Sequence, residues 1–188
     1  MGSDLFMVFS ITLAPAKPPS TAEKHFDQGL AYLDGERYDE AITEFTKAIE
    51  LDPYCAVAYT NRGIAYCQKG IFDQAIANFN KVIELDRSYE EGGADRVLGR
   101  VFFKVPGIAG GDKDESLRHL LKSIEFAPNS PRTLLYLGET YLALKEIDKA
   151  REALDKVLAT PDDGLWINSI KQLHADAKVV LENRKFKK

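Results

Sequence analysis

The side chains that most often carry catalytic or metal chemistry are few in this sequence of 188 residues. Its only thiols are Cys55 and Cys67, which would lie about 18 Å apart along one helix axis, far beyond the reach of a disulfide. The three histidines, His25, His119 and His174, stand singly, and neither a CxxC nor an HExxH pattern occurs. We therefore expect free thiols, no metal site and no bound cofactor.

Catalytic constellations are also lacking. Neither a Ser/His/Asp set nor a Cys/His pair can be assembled from the scattered candidates, and the carboxylates fall where solvated helix faces are expected. His119 and His174 are predicted to lie on the surface. We expect the chain not to be an enzyme.

One glycine-rich segment could suggest a phosphate site. Residues 105–112 read Val-Pro-Gly-Ile-Ala-Gly-Gly-Asp, but they match neither GxGxxG nor GxxxxGK[ST], and no strand is predicted before them. Pro106 and the glycines instead predict an enlarged, non-helical loop. Its role stays open between a flexible connection and a cap over a groove.

Charge and hydropathy argue against two classes of function. The chain carries 25 Lys and Arg against 29 Asp and Glu, a formal charge of -4, whereas nucleic-acid binders usually have a strongly basic face. No apolar run reaches the roughly 18 residues that a membrane span needs. We expect neither a nucleic-acid partner nor an integral membrane segment.

Residues 1–20 form a leader and linker by their composition. Leu5–Leu13 is apolar, and Ala14-Pro15-Ala16 has the form of a cleavage site, as in a signal peptide. Asp4 stands where a basic residue is usual, and the apolar stretch is short. Two interpretations stay open: an exported, periplasmic protein, or a cytoplasmic one in which this segment is an extra strand or a disordered arm.

Internal repetition dominates the rest of the chain. The segments that begin at Ala22 and Ala56 align at an offset of 34 residues, and a further copy begins at Pro131. The residues that recur in a fixed order are Gly29, Gly63 and Gly138; Tyr32, Tyr66 and Tyr141; Ala41, Ala75 and Ala150; Phe45, Phe79 and Leu154; and Ile49, Ile83 and Val157. This order predicts a tandem array of one structural unit.

Each unit is predicted to contain two amphipathic helices, because its apolar residues recur every three or four positions. Helices of about 12–14 residues are marginal alone, so the units must stack to be stable. A glycine inside the first helix costs about 1 kcal/mol relative to alanine. We expect this glycine to recur because it allows close approach of an alanine in the second helix, namely Ala41, Ala75 or Ala150.

These residues resemble the tetratricopeptide repeat (TPR) family, whose units carry a small residue, an aromatic, an alanine, a bulky apolar residue and a closing proline, here Pro53. The resemblance covers residues 22–161. It implies an all-α fold, a right-handed superhelical solenoid of antiparallel helix pairs with a concave groove that faces ligands. His25 stands where the family often has Trp, which implies a packing role.

The predicted TPR domain spans residues 21–188, with repeats at about 22–55, 56–89, 92–130 and 131–162 and a C-terminal capping helix at 164–186. The third repeat is irregular, with helices predicted at Gly92–Lys104 and Lys113–Phe126. This half of the chain also resembles, more weakly, the T component associated with periplasmic TRAP transporters. That resemblance implies an accessory protein that binds a small amphipathic or apolar solute.

The family resemblance also assigns the positions that face the groove. One end is then apolar and the other basic, which suits a protein or peptide segment with an apolar part and an anionic group, or a small apolar or anionic ligand. The alternative is that the apolar members pack between units and the arginines pair with acidic neighbours. The assigned residues are Phe26, Leu30, Leu33, Val57, Thr60, Ile64, Gln68, Arg96, Arg100, Phe103, Lys104, Arg132, Leu135 and Glu139. We expect a non-catalytic scaffold for protein–protein interaction.

One subclass of the family is disfavoured. Its carboxylate clamp, which recognises chaperone tails, requires a Lys and an Asn in the first unit. Phe26 and Leu30 occupy these positions, and only Asn61 in the second unit matches.

Overall fold

The computed structural model describes residues 19–161 and 167–182. Over these two ranges nine α-helices follow one another without a strand, which confirms the all-α prediction. They are α1 (Thr21–Asp34), α2 (Tyr38–Leu51), α3 (Ala56–Gln68), α4 (Phe72–Leu85), α5 (Gly93–Lys104), α6 (Lys113–Phe126), α7 (Pro131–Ala143), α8 (Ile147–Leu158) and α9 (Ile167–Leu181). The predicted leader, at residues 1–18, lies outside the described residues.

The helices form two layers. Each odd-numbered helix from α1 to α7 packs most extensively on the even-numbered helix that follows it, and successive pairs stack through α2 on α3, α4 on α5 and α6 on α7. Contacts also join α1 to α3, α5 to α7 and α7 to α9. Because helices on the inner side of a curved stack approach one another more closely, we assign the odd-numbered helices to the inner layer of this stack.

Side-chain caps define several helix starts. Ser20 accepts a hydrogen bond from the N–H of Glu23, whose carboxylate accepts from the Ser20 N–H in return, so that a capping box opens α1. Asp112 caps α6, and Ser130 caps α7 just before Pro131. Each such cap stabilises its helix by about 1 kcal/mol.

Each pair is closed by a glycine of the first helix against a bulky side chain of the second. A Cβ built on Gly63 would lie 2.9 Å from Cζ of Phe79, and one on Gly29 would lie 2.6 Å from the ring of Phe45. The same relation joins Gly99 to Leu120 and Gly138 to Leu154. These four bulky side chains are fully buried, and burial of each contributes about 2–3 kcal/mol.

This contact corrects the expected partner of the glycines. The atoms nearest to the missing Cβ belong to the aromatic ring or the leucine, and not to Ala41, Ala75 or Ala150. The alanines are fully buried elsewhere in the helix interface. The glycine therefore leaves room for the large residue four positions after the alanine.

The connection into the third pair explains its irregular length. Glu90, Glu91 and Gly92 all have positive φ angles, of 49°, 55° and 75°. A Cβ on Gly92 would also lie 3.0 Å from the ring of Phe126, so glycine is needed there for two reasons. Helix α5 consequently begins at Gly93, one residue later than predicted, whereas α6 has its predicted bounds.

The enlarged loop between α5 and α6 contains one 3-10 turn, Gly107–Ala109, where no helix was expected. A Cβ on Gly111 would lie 1.7 Å from the carbonyl oxygen of Val105, so the returning chain packs directly on backbone. The N–H of Asp112 donates to the carbonyl of Phe102 at 3.0 Å. These contacts shape the loop and leave Ile108 fully exposed at its tip.

Helix α9 packs on both helices of the fourth pair. Leu173 and Ala177 are buried there in a cluster with Leu135, Leu154 and Val157. The helix thus covers apolar surface that the last pair would expose, as an end cap must. None of the helices in the described ranges is long and apolar enough to cross a membrane.

Candidate partner-binding surface

Every residue that the family resemblance assigned to the groove lies on α1, α3, α5 or α7, the inner layer. Most of these side chains are partly or fully exposed, and Leu135 is the buried exception. The four helices therefore present the assigned residues on one layer. The two ends of this layer differ in what surrounds the side chains.

The apolar end is largely engaged in packing. The Phe26 ring lies 5.8 Å from the Phe45 ring and packs on the buried cluster around Ala48. Ile64 packs on the cluster that contains Phe79. Phe26 and Ile64 therefore make packing contacts with neighbouring helices, as the alternative interpretation of the assigned residues expects.

The basic end contains a recess of about 510 Å³ between α5, α7 and α9. It brings together four assigned residues, Arg100, Arg132, Leu135 and Glu139, with Tyr136 between them on α7. The opposite wall comes from α9, and sequence reasoning missed it: Ser169, Gln172, Leu173, Asp176, Val179 and Val180. The sequence predicted only a capping helix for this segment.

Arg100 is held in place on three sides. Its guanidinium carbon lies 4.3 Å from the ring centroid of Tyr136 and 5.5 Å from that of Phe103. The same guanidinium pairs with Glu139, and both side chains are about three-quarters buried. Cation–π contacts and the ion pair together fix this side chain at the edge of the recess.

Two other charges of the recess differ in their pairing. Asp176 accepts a hydrogen bond from Gln172 at 2.8 Å. Arg132 is exposed and has no carboxylate partner within the described part of the chain. The recess therefore contains one guanidinium, of Arg132, and one carboxylate, of Asp176, that form no ion pair within the described residues, beside the exposed side chain of Val179.

A second basic feature lies at the far end of α5. Lys113, which sequence reasoning missed, places its Nζ 4.1 Å from the ring centroid of Phe103, and Nζ of Lys104 lies 5.9 Å from the same centroid. Lys113 also donates a hydrogen bond to the Phe103 carbonyl. Burial, and then the charges of Lys104 and Arg100, lower the pKa of Lys113.

The histidines are not distributed as predicted. His119 is buried, which contradicts its expected surface position: its Nδ1 lies 2.7 Å from Asp95 and its ring stacks on Phe102. His174 is only partly exposed, and its Nε2 is buried without a hydrogen-bond partner. His25 bonds to Glu44 and links α1 to α2.

The described residues contain no group of three or more His, Cys, Asp or Glu side chains arranged to hold a metal ion. Both cysteines are free, as predicted.

Comparison with family models identifies repeats in both halves of the chain. A TPR repeat model matches residues 29–70, and tetratricopeptide repeat models match residues 56–89 and 119–152. Together these matches cover about half of the chain. No similar sequence was found among curated proteins.

Solved structures of repeat proteins share the fold. A crystal structure of MamA superposes with a TM-score of 0.65 at 22% identity and covers 88% of each chain. TTC0263, described as a thermophilic TPR protein of Thermus thermophilus, gives 0.65 at 21% identity, over 86% of this chain and 83% of that one. The first TPR of Spaghetti (RPAP3), bound to the HSP90 peptide SRMEEVD, gives 0.54 at 28% identity, over 71% and 93%. The weaker resemblance to TRAP-associated proteins is not tested by these matches and stays a prediction.

Proposed function

Because the chain belongs to the tetratricopeptide repeat family, we propose that it is a non-catalytic scaffold that binds a segment of a partner protein on its inner layer. The observation that carries the proposal is the recess between α5, α7 and α9. In this recess Arg100, which is held by Tyr136 and Glu139, lies near Arg132, which has no ion-pair partner in the described residues, and near apolar side chains. Such a combination suits a peptide with an apolar and an anionic part.

The similarity to a peptide-bound structure supports the class of partner. The RPAP3 domain that superposes on this chain was solved with a seven-residue acidic peptide. We do not expect this chain to bind the same peptide. Phe26 and Leu30 stand where the carboxylate clamp that recognises chaperone tails requires a Lys and an Asn in the first unit. What the similarity supports is a protein segment as the ligand.

The position of the recess supports binding at the C-terminal half. At the other end of the inner layer Phe26 and Ile64 are already packed against neighbouring helices. Leu30, Leu33, Val57, Thr60 and Gln68 have no ionised group to offer. We propose that they extend the contact, whereas the recess anchors the segment.

Selection of random dodecapeptides against the purified full chain tests the proposal. We expect enriched peptides whose affinity, measured by fluorescence anisotropy, falls about tenfold in Tyr136→Ala and in Arg132→Glu, because both changes alter the recess. Lys122→Glu, on α6 and ion-paired with Glu125, is the matched control and should bind normally. Absence of enriched peptides, or equal binding by all variants, would refute binding at this recess.

A further inference from the structure

Four side chains form what we call the Phe103 cluster: Arg100, Phe103, Lys104 and Lys113. All three cations lie within 6 Å of one aromatic ring. The cluster joins the C-terminal end of α5 to the start of α6, beside the enlarged loop. Arg100 belongs both to this cluster and to the recess, so the two features are continuous.

The cations of the cluster are not equally neutralised. Glu139 pairs with Arg100, but Lys104 and Lys113 have no carboxylate partner in residues 19–161 or 167–182. Four other lysines on the outer helices are ion-paired: Lys47 with Glu44, Lys81 with Glu84, Lys122 with Glu125, and Lys156 with Glu152. The Phe103 cluster therefore keeps two ammonium groups without an internal counter-charge beside one aromatic ring.

Two nearby acidic residues, Asp112 and Glu115, make other contacts. Asp112 accepts the N–H groups of Asp114 and Glu115 at the start of α6. Glu115 pairs with Arg118. Burial lowers the pKa of Lys113, and the like charges of Lys104 and Arg100 lower it further. An anion placed at the cluster would relieve this repulsion.

We infer that the Phe103 cluster binds an acidic side chain, Asp or Glu, of the partner segment, next to the apolar residue that enters the recess. This inference rests on the proposed function and specifies its ligand. Lys104 and Lys113 supply the charge. Their contacts with the ring, and the hydrogen bond from Lys113 to the Phe103 carbonyl, restrict the ammonium groups before binding and so lower its entropic cost.

The surroundings favour a peptide carboxylate over a nucleic acid or a membrane. A nucleic acid presents phosphates along its length and requires a basic face of matching extent. The cluster is confined to one unit, and the chain as a whole has a formal charge of -4. A short acidic segment is the anion that matches a patch of this size.

The test uses the full chain and the dodecapeptides selected on it. We expect the selected peptides to be enriched in Asp and Glu beside an apolar residue. Replacement of the acidic residues of the peptide by Asn and Gln should weaken binding about tenfold. The Lys104→Glu substitution in the protein should weaken it by a similar factor. Both effects should become smaller at high salt. Lys104→Arg, which keeps the charge, should bind within about twofold of the native chain.

Lys113 needs a second variant, because its hydrogen bond to α5 could matter for folding. Lys113→Gln should weaken acidic peptides several-fold and leave the neutral versions unchanged, and circular dichroism must show native helicity. If Lys113→Gln is misfolded, the exposed Lys104 decides the outcome alone. Lys122→Glu again serves as the control with a paired lysine.

The outcomes separate the inference from the proposed function. If peptides bind and respond to Tyr136→Ala but show no dependence on acidic residues or on Lys104, the inference is wrong and the scaffold proposal stands. If acidic peptides remain favoured in Lys104→Glu, another cation binds them, and the inference is again wrong. If a labelled DNA duplex or vesicles with phosphatidylserine bind through Lys104 in place of peptides, both fail.

Discussion

The guanidinium carbon of Arg100 lies 4.3 Å from the ring centroid of Tyr136. Arg100 belongs to α5 and Tyr136 to α7, so the contact joins the inner helices of two successive units across the recess. Glu139, one turn further along α7, pairs with the same guanidinium. The cation–π contact and the ion pair thus hold Arg100 at the edge of the recess.

A double-mutant cycle should reveal this coupling. Arg100→Ala and Tyr136→Ala should each lower the free energy of unfolding, and each change alone removes the cation–π contact. We therefore expect the double variant to lose about 1 kcal/mol less than the sum of the two single losses. Urea unfolding followed by circular dichroism measures the three values. Tyr136→Phe keeps the ring and should retain the coupling with Arg100. Strictly additive losses would mean that the contact contributes nothing to stability.

Gly63→Ala should destabilise the second unit although alanine is the better helix former. The added Cβ would lie 2.9 Å from Cζ of Phe79, and overpacking of this kind costs about 1–3 kcal/mol, more than the roughly 1 kcal/mol gained in helix propensity. Chemical denaturation provides the measurement. Gly107→Ala, with no atom within 4 Å of its added Cβ, is the control and should change stability by less than about 0.5 kcal/mol. A stabilised Gly63→Ala would contradict the close contact.

The sequence alone predicts the repeated helix pairs because their glycine and aromatic positions recur at a fixed offset. It does not predict the rotation of one helix against another within a pair. Gly63 was accordingly assigned to Ala75, whereas the structure places it against Phe79. Ala75 and Phe79 lie one turn apart on the same face of α4, so the periodicity of the sequence cannot tell which of them faces Gly63.

Contacts within the irregular third pair, and contacts made by α9, were not predicted from the repeat pattern. His119 was predicted to lie on the surface, but Asp95, 24 residues earlier in the chain, contacts it from α5. Lys113 was also missed, since the enlarged loop returns it to Phe103. The assigned residues Arg100, Arg132, Leu135 and Glu139 are brought together, but the wall from α9 could not be derived from the repeat, because α9 is not a copy of it.

Cys67 should react slowly with thiol reagents in the folded chain. Burial raises the pKa of its thiol to about 11, so only about 0.1% is ionised at pH 8, and the thiolate is the reactive form. In a Cys55→Ser variant, we expect labelling of Cys67 by iodoacetamide to accelerate at least about 50-fold when urea unfolds the chain. Mass spectrometry follows the rate. Equal rates in the folded and unfolded chain would show that Cys67 is accessible and ionised.

Asp95→Asn should destabilise the third unit by about 3 kcal/mol at pH 7, because it removes the charge from a buried site with two donors. Asp95 is fully buried and accepts hydrogen bonds from Arg87, at 3.0 Å, and from His119, at 2.7 Å. Burial raises the pKa of this carboxyl, but the hydrogen bonds from His119 and Arg87 and their charges outweigh it, so the net pKa is lowered.

The lowered pKa of Asp95 fixes the direction of the pH effect. Its carboxylate stabilises the fold above the unfolded pKa of about 3.9, and this contribution disappears as the pH falls through the lower folded value. The difference in unfolding free energy between the native chain and Asp95→Asn should therefore shrink as the pH falls below about 4. Urea titrations at pH 7, 5 and 3.5 measure it. Glu84→Gln, at an exposed carboxylate on α4, is the control and should differ little from the native chain throughout. An Asp95→Asn difference that stays unchanged at pH 3.5 would mean that the carboxylate is not selectively stabilised by Arg87 and His119.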